Sequence, residues 1–318
     1  MTVVALLLLW VRRHRPAVWL LLALAVAELF VFARKSLDHF DLTQATEPEV
    51  KRFLAAHPGD YRILNLLNSN AALNMGAEDL WANDPGVTRR YAQLLAFTQD
   101  VNLDQLTAQI WHSLGHPLFG MFRRRFTFFI VNDRLVVNEN TNYLPHLLLV
   151  QRYRVLGGWN EILSALTNTA FNPREEVILE TPPDPRPVAG DAAGTARIVD
   201  ASTDVLTIEA EVPSPSLLLI TDTYAQGWRA RALPGSSQPH YQILPANYCL
   251  RAIPLAAGSH RLRMEYLPSG FVIGKWISVI ALLIYGGLVV EWSWRRFFRP
   301  ARRDQPAPSQ AQFRQTRG

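Results

Sequence analysis

The chain has 318 residues, 49% of them hydrophobic, a formal net charge of +5 and a single cysteine, Cys249. One thiol excludes an internal disulfide, so any domain must be held by its own core. The basic excess gathers beside apolar runs and in the tail rather than along a folded face, which argues against a nucleic-acid partner and for a tail lying beside anionic lipid.

Residues 1–10 (MTVVALLLLW) are apolar throughout, but the positive charge follows them instead of preceding them, unlike a signal peptide. Ten residues make only half of a membrane span, so they read as the end of a helix whose beginning is missing. The chain is accordingly expected to be the C-terminal piece of a larger membrane protein. Residues 17–33 (AVWLLLALAVAELFVFA) and 271–290 (FVIGKWISVIALLIYGGLVV) are nearly charge-free and reach the roughly 17–20 residues that a bilayer core of about 30 Å demands.

A buried soluble helix is the alternative for each run. Pro16 at a helix start, Lys275 placed to snorkel, and Trp276 and Trp292 towards the ends of the last run favour membrane spans. Arg12, Arg13 and Arg15 precede one span, and Arg295, Arg296, Arg299, Arg302 and Arg303 follow the other. Both clusters are therefore expected on the cytoplasmic side, with residues from about 35 to 270 outside. Glu28 is ionisable within a span, near its outer end, where a functional role and a carboxylate reaching water are both open.

Between the spans, residues 46–56 carry Thr46 and Glu49 in capping-box spacing, followed by Val50, Phe53 and Leu54 at helical intervals. Residues 61–67 read as a strand, and 84–97 as a helix opened by Asp84 and Pro85. Residues 125–133 and 134–140 are strands about an Asn-Asp turn, residues 146–156 give another strand, and 160–171 another helix. The expectation is an extracytoplasmic α+β domain over 34–172.

After the Pro- and Gly-rich stretch 181–194, alternation takes over. Leu206, Ile208, Ala210 and Val212 share one face, as do Trp228, Ala230 and Ala232, and then His260, Leu262, Met264 and Tyr266. Residues 216–220 read as a strand covered on both faces. An antiparallel β-sandwich of jelly-roll or immunoglobulin-like type is expected over 173–270. The full expectation is membrane α-helices over 1–33 and 271–292, the α+β domain and sandwich between, and a basic cytoplasmic tail over 293–318.

Asp222, Tyr224, Gly227, Trp228, Ala246, Asn247, Tyr248, Arg251, Ala257, Gly258, His260, Tyr266 and Pro268 stand in the order of a pattern ahead of the last span. In that order the chain resembles the C-terminal region of the YfhO family of bacterial membrane proteins. Stretches upstream fit as well: the end of the span at 17–33, Tyr61, Asn74, Gly76, residues 84–91, and 142 to 180. Gln226 replaces the usual proline, and Pro234-Gly235-Ser236 replaces the usual Asp-Gly turn.

The resemblance implies a protein similar to C-type glycosyltransferases, which use polyprenyl-phosphate-linked sugars to decorate cell-envelope glycans. It also implies a catalytic acidic residue in the first outside loop, for which this sequence has no counterpart. The chain alone is then not expected to perform transfer. Its partners would be the lipid bilayer, a polyprenyl-phosphate sugar and an envelope glycan, on the outer side of the bacterial cytoplasmic membrane. A membrane-anchored, non-catalytic carbohydrate-binding or structural module is the alternative.

Candidate substrate-binding residues are Asn74, Glu78 and Asp84, with Asp79 and Trp81 nearby, where paired carboxylates suit an acceptor hydroxyl or a divalent metal in a complete protein. Arg89 and Arg90 suit a phosphate, and Trp228 a sugar ring. A capped helix start with a solvated face is the plainer reading of the acidic cluster, and a sandwich-core position the plainer reading of Trp228. His112 and His116 have helical metal spacing, but Gly115 and Pro117 oppose a regular helix and no third ligand is evident. No cofactor motif and no catalytic residue is assigned.

Overall fold

The computed structural model describes residues 15–36, 47–68, 71–80, 87–101, 116–190 and 194–298. The half-span at 1–10, Arg12 and Arg13, Thr46, Trp81, Asp84, His112, and Arg299, Arg302 and Arg303 lie outside them. The chain divides into two compact units, Met1–Val87 with Thr98–His146, and Thr88–Phe97 with Leu147–Gly318.

The first unit holds helices α1 (Arg15–Ser36), α2 (Pro48–Ala56) and α3 (Ala71–Met75), and strands β1 (Arg62–Asn65), β2 (Glu78–Asp79), β3 (Arg124–Val131) and β4 (Arg134–Glu139). Its sheet has the order β2-β1-β3-β4. β1 pairs in parallel with both β2 and β3, and β3 forms an antiparallel hairpin with β4. Asn132 and Asp133 both take positive φ, 50° and 60°, as the expected two-residue turn requires.

Val50, Ile63, Ala72, Phe126 and Phe128 form the core between sheet and helices, with Phe53 edge-on to both phenylalanines. The expected capping box is corrected: α2 begins at Pro48, and Glu47 is its N-cap without a side-chain cap bond. Pro48 already lacks one of the N–H groups that a cap would satisfy.

In the second unit, α4 (Arg89–Thr98) begins five residues later than Asp84, and α5 (Trp159–Leu166) buries Ile162, Leu163 and Leu166. Among the described residues eleven strands follow β4, all in this unit: β5 (Leu147–Val150), β6 (Arg152–Val155), β7 (Glu176–Leu179), β8 (Thr195–Ala201), β9 (Val205–Val212), β10 (Ser216–Ile220), β11 (Trp228–Ala232), β12 (His240–Tyr241), β13 (Leu244–Ala246), β14 (Leu250–Leu255) and β15 (Gly258–Tyr266). The five-stranded sheet β12-β11-β15-β9-β8 is wholly antiparallel.

The six-stranded sheet has the order β5-β10-β14-β13-β7-β6 and one parallel pair, β6 with β7. Only Gln151 separates β5 from β6, so one kinked strand supplies both edges and the sheet curls back on itself. The single strand expected over 146–156 is thus two, and the boundary expected at residue 172 falls inside this unit.

The two sheets share a core. Leu206, Ile208, Ala210, Val212, Leu262 and Met264 come from the five-stranded sheet and meet Leu149, Leu218, Ile220, Ile253 and Leu255 from the other. The alternation read from sequence places these residues inward and Glu209, Arg229, Arg231, Arg261 and Arg263 outward. β10 is buried along its whole length, as expected of a strand covered on both faces. His260, at 1% exposure, uses both ring nitrogens inside the core: Nδ1 with the Tyr241 hydroxyl at 2.8 Å and Nε2 with the Ala256 carbonyl at 2.9 Å.

Helix α6 (Ser269–Phe298) follows β15 after two residues. Among the described residues, its segment Ser269–Arg295 is the one helix long and apolar enough to cross a membrane, and none of its most apolar stretch is buried. α1 makes residues 17–33 helical, and its large apolar side chains, such as Leu29 and Phe32, are exposed, as is Glu28.

Because Ile208 is fully buried between the sheets, Ile208→Ala is expected to cost about 2–5 kcal/mol, and Arg229→Ala on the outer face less than about 0.5 kcal/mol. Denaturant titration of the detergent-solubilised chain checks both, and equal losses would contradict the assignment of faces.

Candidate functional site

The parallel strands of the first unit all begin at one edge, and their beginnings carry charge. Asp60 precedes β1, Glu78 opens β2, and Arg123 precedes β3. Arg62 stands opposite both Glu78 and Arg124 in the register. A six-residue 3-10 turn, Pro117–Phe122, ends at Arg123 in the left-handed conformation, and the Arg123 carbonyl accepts from the Arg62 N–H at 3.0 Å. That turn aims the Arg123 side chain under the edge.

The Arg123 side chain is only 1% exposed, whereas Asp60 and Glu78 are 54% and 59% exposed. Its guanidinium donates to Asp60 Oδ1 and, at 2.8 Å, to Glu78 Oε2. Arg62 Nε reaches the same Glu78 oxygen at 3.0 Å, and His146 Nδ1 lies 2.8 Å from Asp60 Oδ2. A buried cation thus pins two carboxylates that are each more than half exposed, at an energetic cost that the two ion pairs must offset.

Beside them lies a cleft of about 380 Å³, lined by Lys51, His57, Asp60, Tyr61, Met75 and Glu78 among others. His57 Nδ1 contacts the Phe53 carbonyl at 2.8 Å and its ring stacks on Phe53 at 4.1 Å. The Tyr61 hydroxyl donates to the His57 carbonyl. Burial raises the Tyr61 phenol above its usual range, partly offset by Arg125, so it remains a protonated donor. The cleft therefore combines fixed carboxylate acceptors with Lys51 as an exposed donor, a set matched to the hydroxyl groups of a polar ligand.

Of the described candidate substrate-binding residues read from sequence, Glu78 is the one that lines this cleft. Asn74 is exposed on α3, and Asp84 lies outside the described residues. Asp79 accepts from the Asn65 N–H at 3.3 Å and so serves the sheet. Asp60, Arg123 and His146 were missed. Asp60 hides in the helix-breaking stretch HPGD and Arg123 in a run of three arginines. Their only sequence signal was charge next to a strand start.

The phosphate reading of Arg90 meets a different use. In the second unit its guanidinium forms a two-pronged pair with Glu180, with Nη2 to Oε2 at 2.9 Å, and also donates to the Tyr248 carbonyl at 3.0 Å. It lies over the rings of Tyr224 and Tyr248, at 5.3 and 5.1 Å. This fastens α4 to the turn before β14, where Asn247 and Tyr248 take positive φ and the Asn247 side chain accepts from the Ile178 N–H at 2.8 Å. The bond to Glu180 raises the Arg90 pKa further. Arg89 beside it is exposed.

Trp228 packs against the shared core, and Arg251 covers its ring at 3.9 Å. Tyr266 lies on it at 5.4 Å. A sugar platform needs an open aromatic face, and here the guanidinium occupies one. His116 Nδ1 accepts from the Leu118 N–H at 3.3 Å, capping the 3-10 turn. Among the described residues no three His, Cys, Asp or Glu side chains gather as a metal site.

Replacing both Asp60 by Asn and Glu78 by Gln strands the buried guanidinium and is expected to cost about 3–5 kcal/mol, whereas Arg123→Met leaves the carboxylates half in water and costs less. Denaturant titration reads the order, and the reverse order contradicts the account. Burial lowers the His116 pKa below its usual 6.5, so the unfolded chain binds the extra proton first. Stability conferred by the neutral ring is present above about pH 6.5 and is lost as pH falls through the lower folded value. His116→Gln is expected to flatten that acid slope, and an unchanged slope refutes it. Comparison with protein-family models, curated proteins and solved structures returns no match to this chain.

Proposed function

We propose that this chain is the membrane-anchored C-terminal portion of a YfhO-like protein serving polyprenyl-phosphate-sugar-dependent glycosylation of envelope glycans. In this reading α6 and α1 cross the bacterial cytoplasmic membrane with their basic flanks inside. Both units then lie outside, the second as a jelly-roll or immunoglobulin-like sandwich with one strand shared between its sheet edges. The Asp60–Glu78 cleft positions the glycan acceptor.

The observation that carries the membrane part is α6, whose apolar side chains are exposed over a length of about 40 Å in Ser269–Arg295. That length covers a hydrocarbon core of about 30 Å and its flanking headgroups. Among the described residues no core covers these side chains, and lipid is a solvent that suits them.

A positioning role is favoured over catalysis by the state of the two carboxylates. Asp60 and Glu78 are each already bonded to the Arg123 guanidinium, which makes them fixed acceptors for sugar hydroxyls. The same observation supports a purely carbohydrate-binding module, the second reading, in which the glycan is held and not modified.

The test is made in cells carrying the complete protein. Glu78→Gln alone keeps the Asp60–Arg123 pair, so the variant is expected to reach the membrane at normal levels. The prediction is loss of the modified fraction of the envelope glycan, read by mass spectrometry. A normal glycan profile beside normal membrane levels would overturn acceptor positioning. Glycan retained on the membranes with no modified fraction even in the unaltered protein would favour the binding module.

A further inference from the structure

The junction between β15 and α6 holds more than a linker would need. Only Leu267 and Pro268 separate the last strand residue, Tyr266, from Ser269. The Leu267 N–H donates to the Gly227 carbonyl at 2.8 Å, and the Phe271 N–H bonds back to Pro268 at 3.0 Å. Gly227 has φ of 115°, and a Cβ there would sit 3.0 Å from Pro268 Cα and 3.1 Å from its nitrogen. Both the backbone conformation and the contact demand glycine. The loop before β11 is thereby clasped to the first turn of the helix.

From this clasp we infer that the α6 end of the second unit is a lipid-contact surface, seated in the phospholipid headgroup layer of the bilayer that α6 enters. The inference rests on the reading of α6 as a membrane span. Residues 271–290 rise about 30 Å, the thickness of the hydrocarbon core, so the core begins near Phe271. Tyr266 lies five residues before it, and Trp228 is its direct partner in the register. Neighbouring strands are about 5 Å apart, so Trp228 shares that depth. The headgroup layer is about 5–8 Å thick on each side, which places this end of the sheet within or against it.

The chemistry of the end suits that layer. Tyr266, 37% exposed, is an amphipathic aromatic of the kind that gathers at membrane interfaces, and the half-buried Trp228 packs beside it. Arg229 is exposed beside them, and Arg89 is exposed next to Arg90, whose guanidinium lies over Tyr224 in the same loop. Exposed guanidinium groups pair with lipid phosphates. The helix does not fold back along the sheets, since its side chains are exposed almost from the first turn. The far end of the unit, at Ala257, is separated from Tyr266 by the whole of β15, about 30 Å.

The test places an environment-sensitive fluorophore on the full chain in phospholipid vesicles, at Q226C, A257C or L282C; native Cys249 is buried and stays in place. Gln226, Ala257 and Leu282 are all exposed. Lipids carrying a spin label on the headgroup should quench the probe at 226 and leave 257 unquenched, and acyl-chain labels should quench 282. Inserting a flexible Gly-Ser linker between Pro268 and Ser269, which keeps both folded parts, should abolish quenching at 226 while that at 282 persists. Quenching at 282 with none at 226 overturns the lipid-contact surface and leaves the span standing. Absence of quenching at 282 overturns both. Quenching at 226 that survives the linker overturns the role of the clasp.

Discussion

β15 is the strand on which the second unit depends. It lies between β9 and β11, pairs with both along most of its length, and presents Leu262 and Met264, each fully buried, to the opposite sheet. It then passes within two residues into α6. One stretch of chain therefore carries the core, the sheet register and the connection to the only described helix long and apolar enough to cross a membrane. A register slip of one residue would turn Leu262 and Met264 outward and Arg261 and Arg263 into the core. That penalty keeps Tyr266, and hence the start of α6, in a defined place.

The first unit rests on a buried charge rather than on a single strand. Arg123 could be replaced in principle by an apolar side chain at little loss of stability, since burying a guanidinium is costly even when paired. What the buried guanidinium supplies in return is a pair of carboxylates held in place at the cleft. The network of Arg123, Arg62, Asp60, Glu78 and His146 fixes the directions in which Asp60 and Glu78 accept hydrogen bonds. Fixed acceptors discriminate between hydroxyl arrangements better than mobile ones, because less side-chain entropy is lost on binding.

Much of the sheet architecture was legible because period-two alternation is a direct image of a two-faced sheet. Leu206 to Val212, Trp228 to Ala232 and His260 to Met264 turn the sides that their spacing foretold. Other features were not legible, for physical reasons. Ala256 and Ala257 look like a hairpin connection, yet β14 and β15 enter different sheets, a choice made by the shared core and not by the loop. Gln151 gives no turn signal, and the kink there is visible only once β10 and β7 have each claimed half of the strand. The site was less legible still. Arg123 is 63 residues from Asp60 and 45 from Glu78, and they meet only because β1, β2 and β3 start in parallel. Arg90 and Trp228, conspicuous as a phosphate ligand and a sugar platform, are occupied by Glu180 and Arg251.

The central claim is that α6 crosses a bilayer and leaves the second unit on the outer side. Side-specific labelling of the full chain in intact cells with a membrane-impermeant thiol reagent tests it most directly, using G270C before the helix core and S293C after it. The account predicts that G270C reacts from outside and that S293C reacts only after permeabilisation. Reaction of both positions from the same side would contradict it.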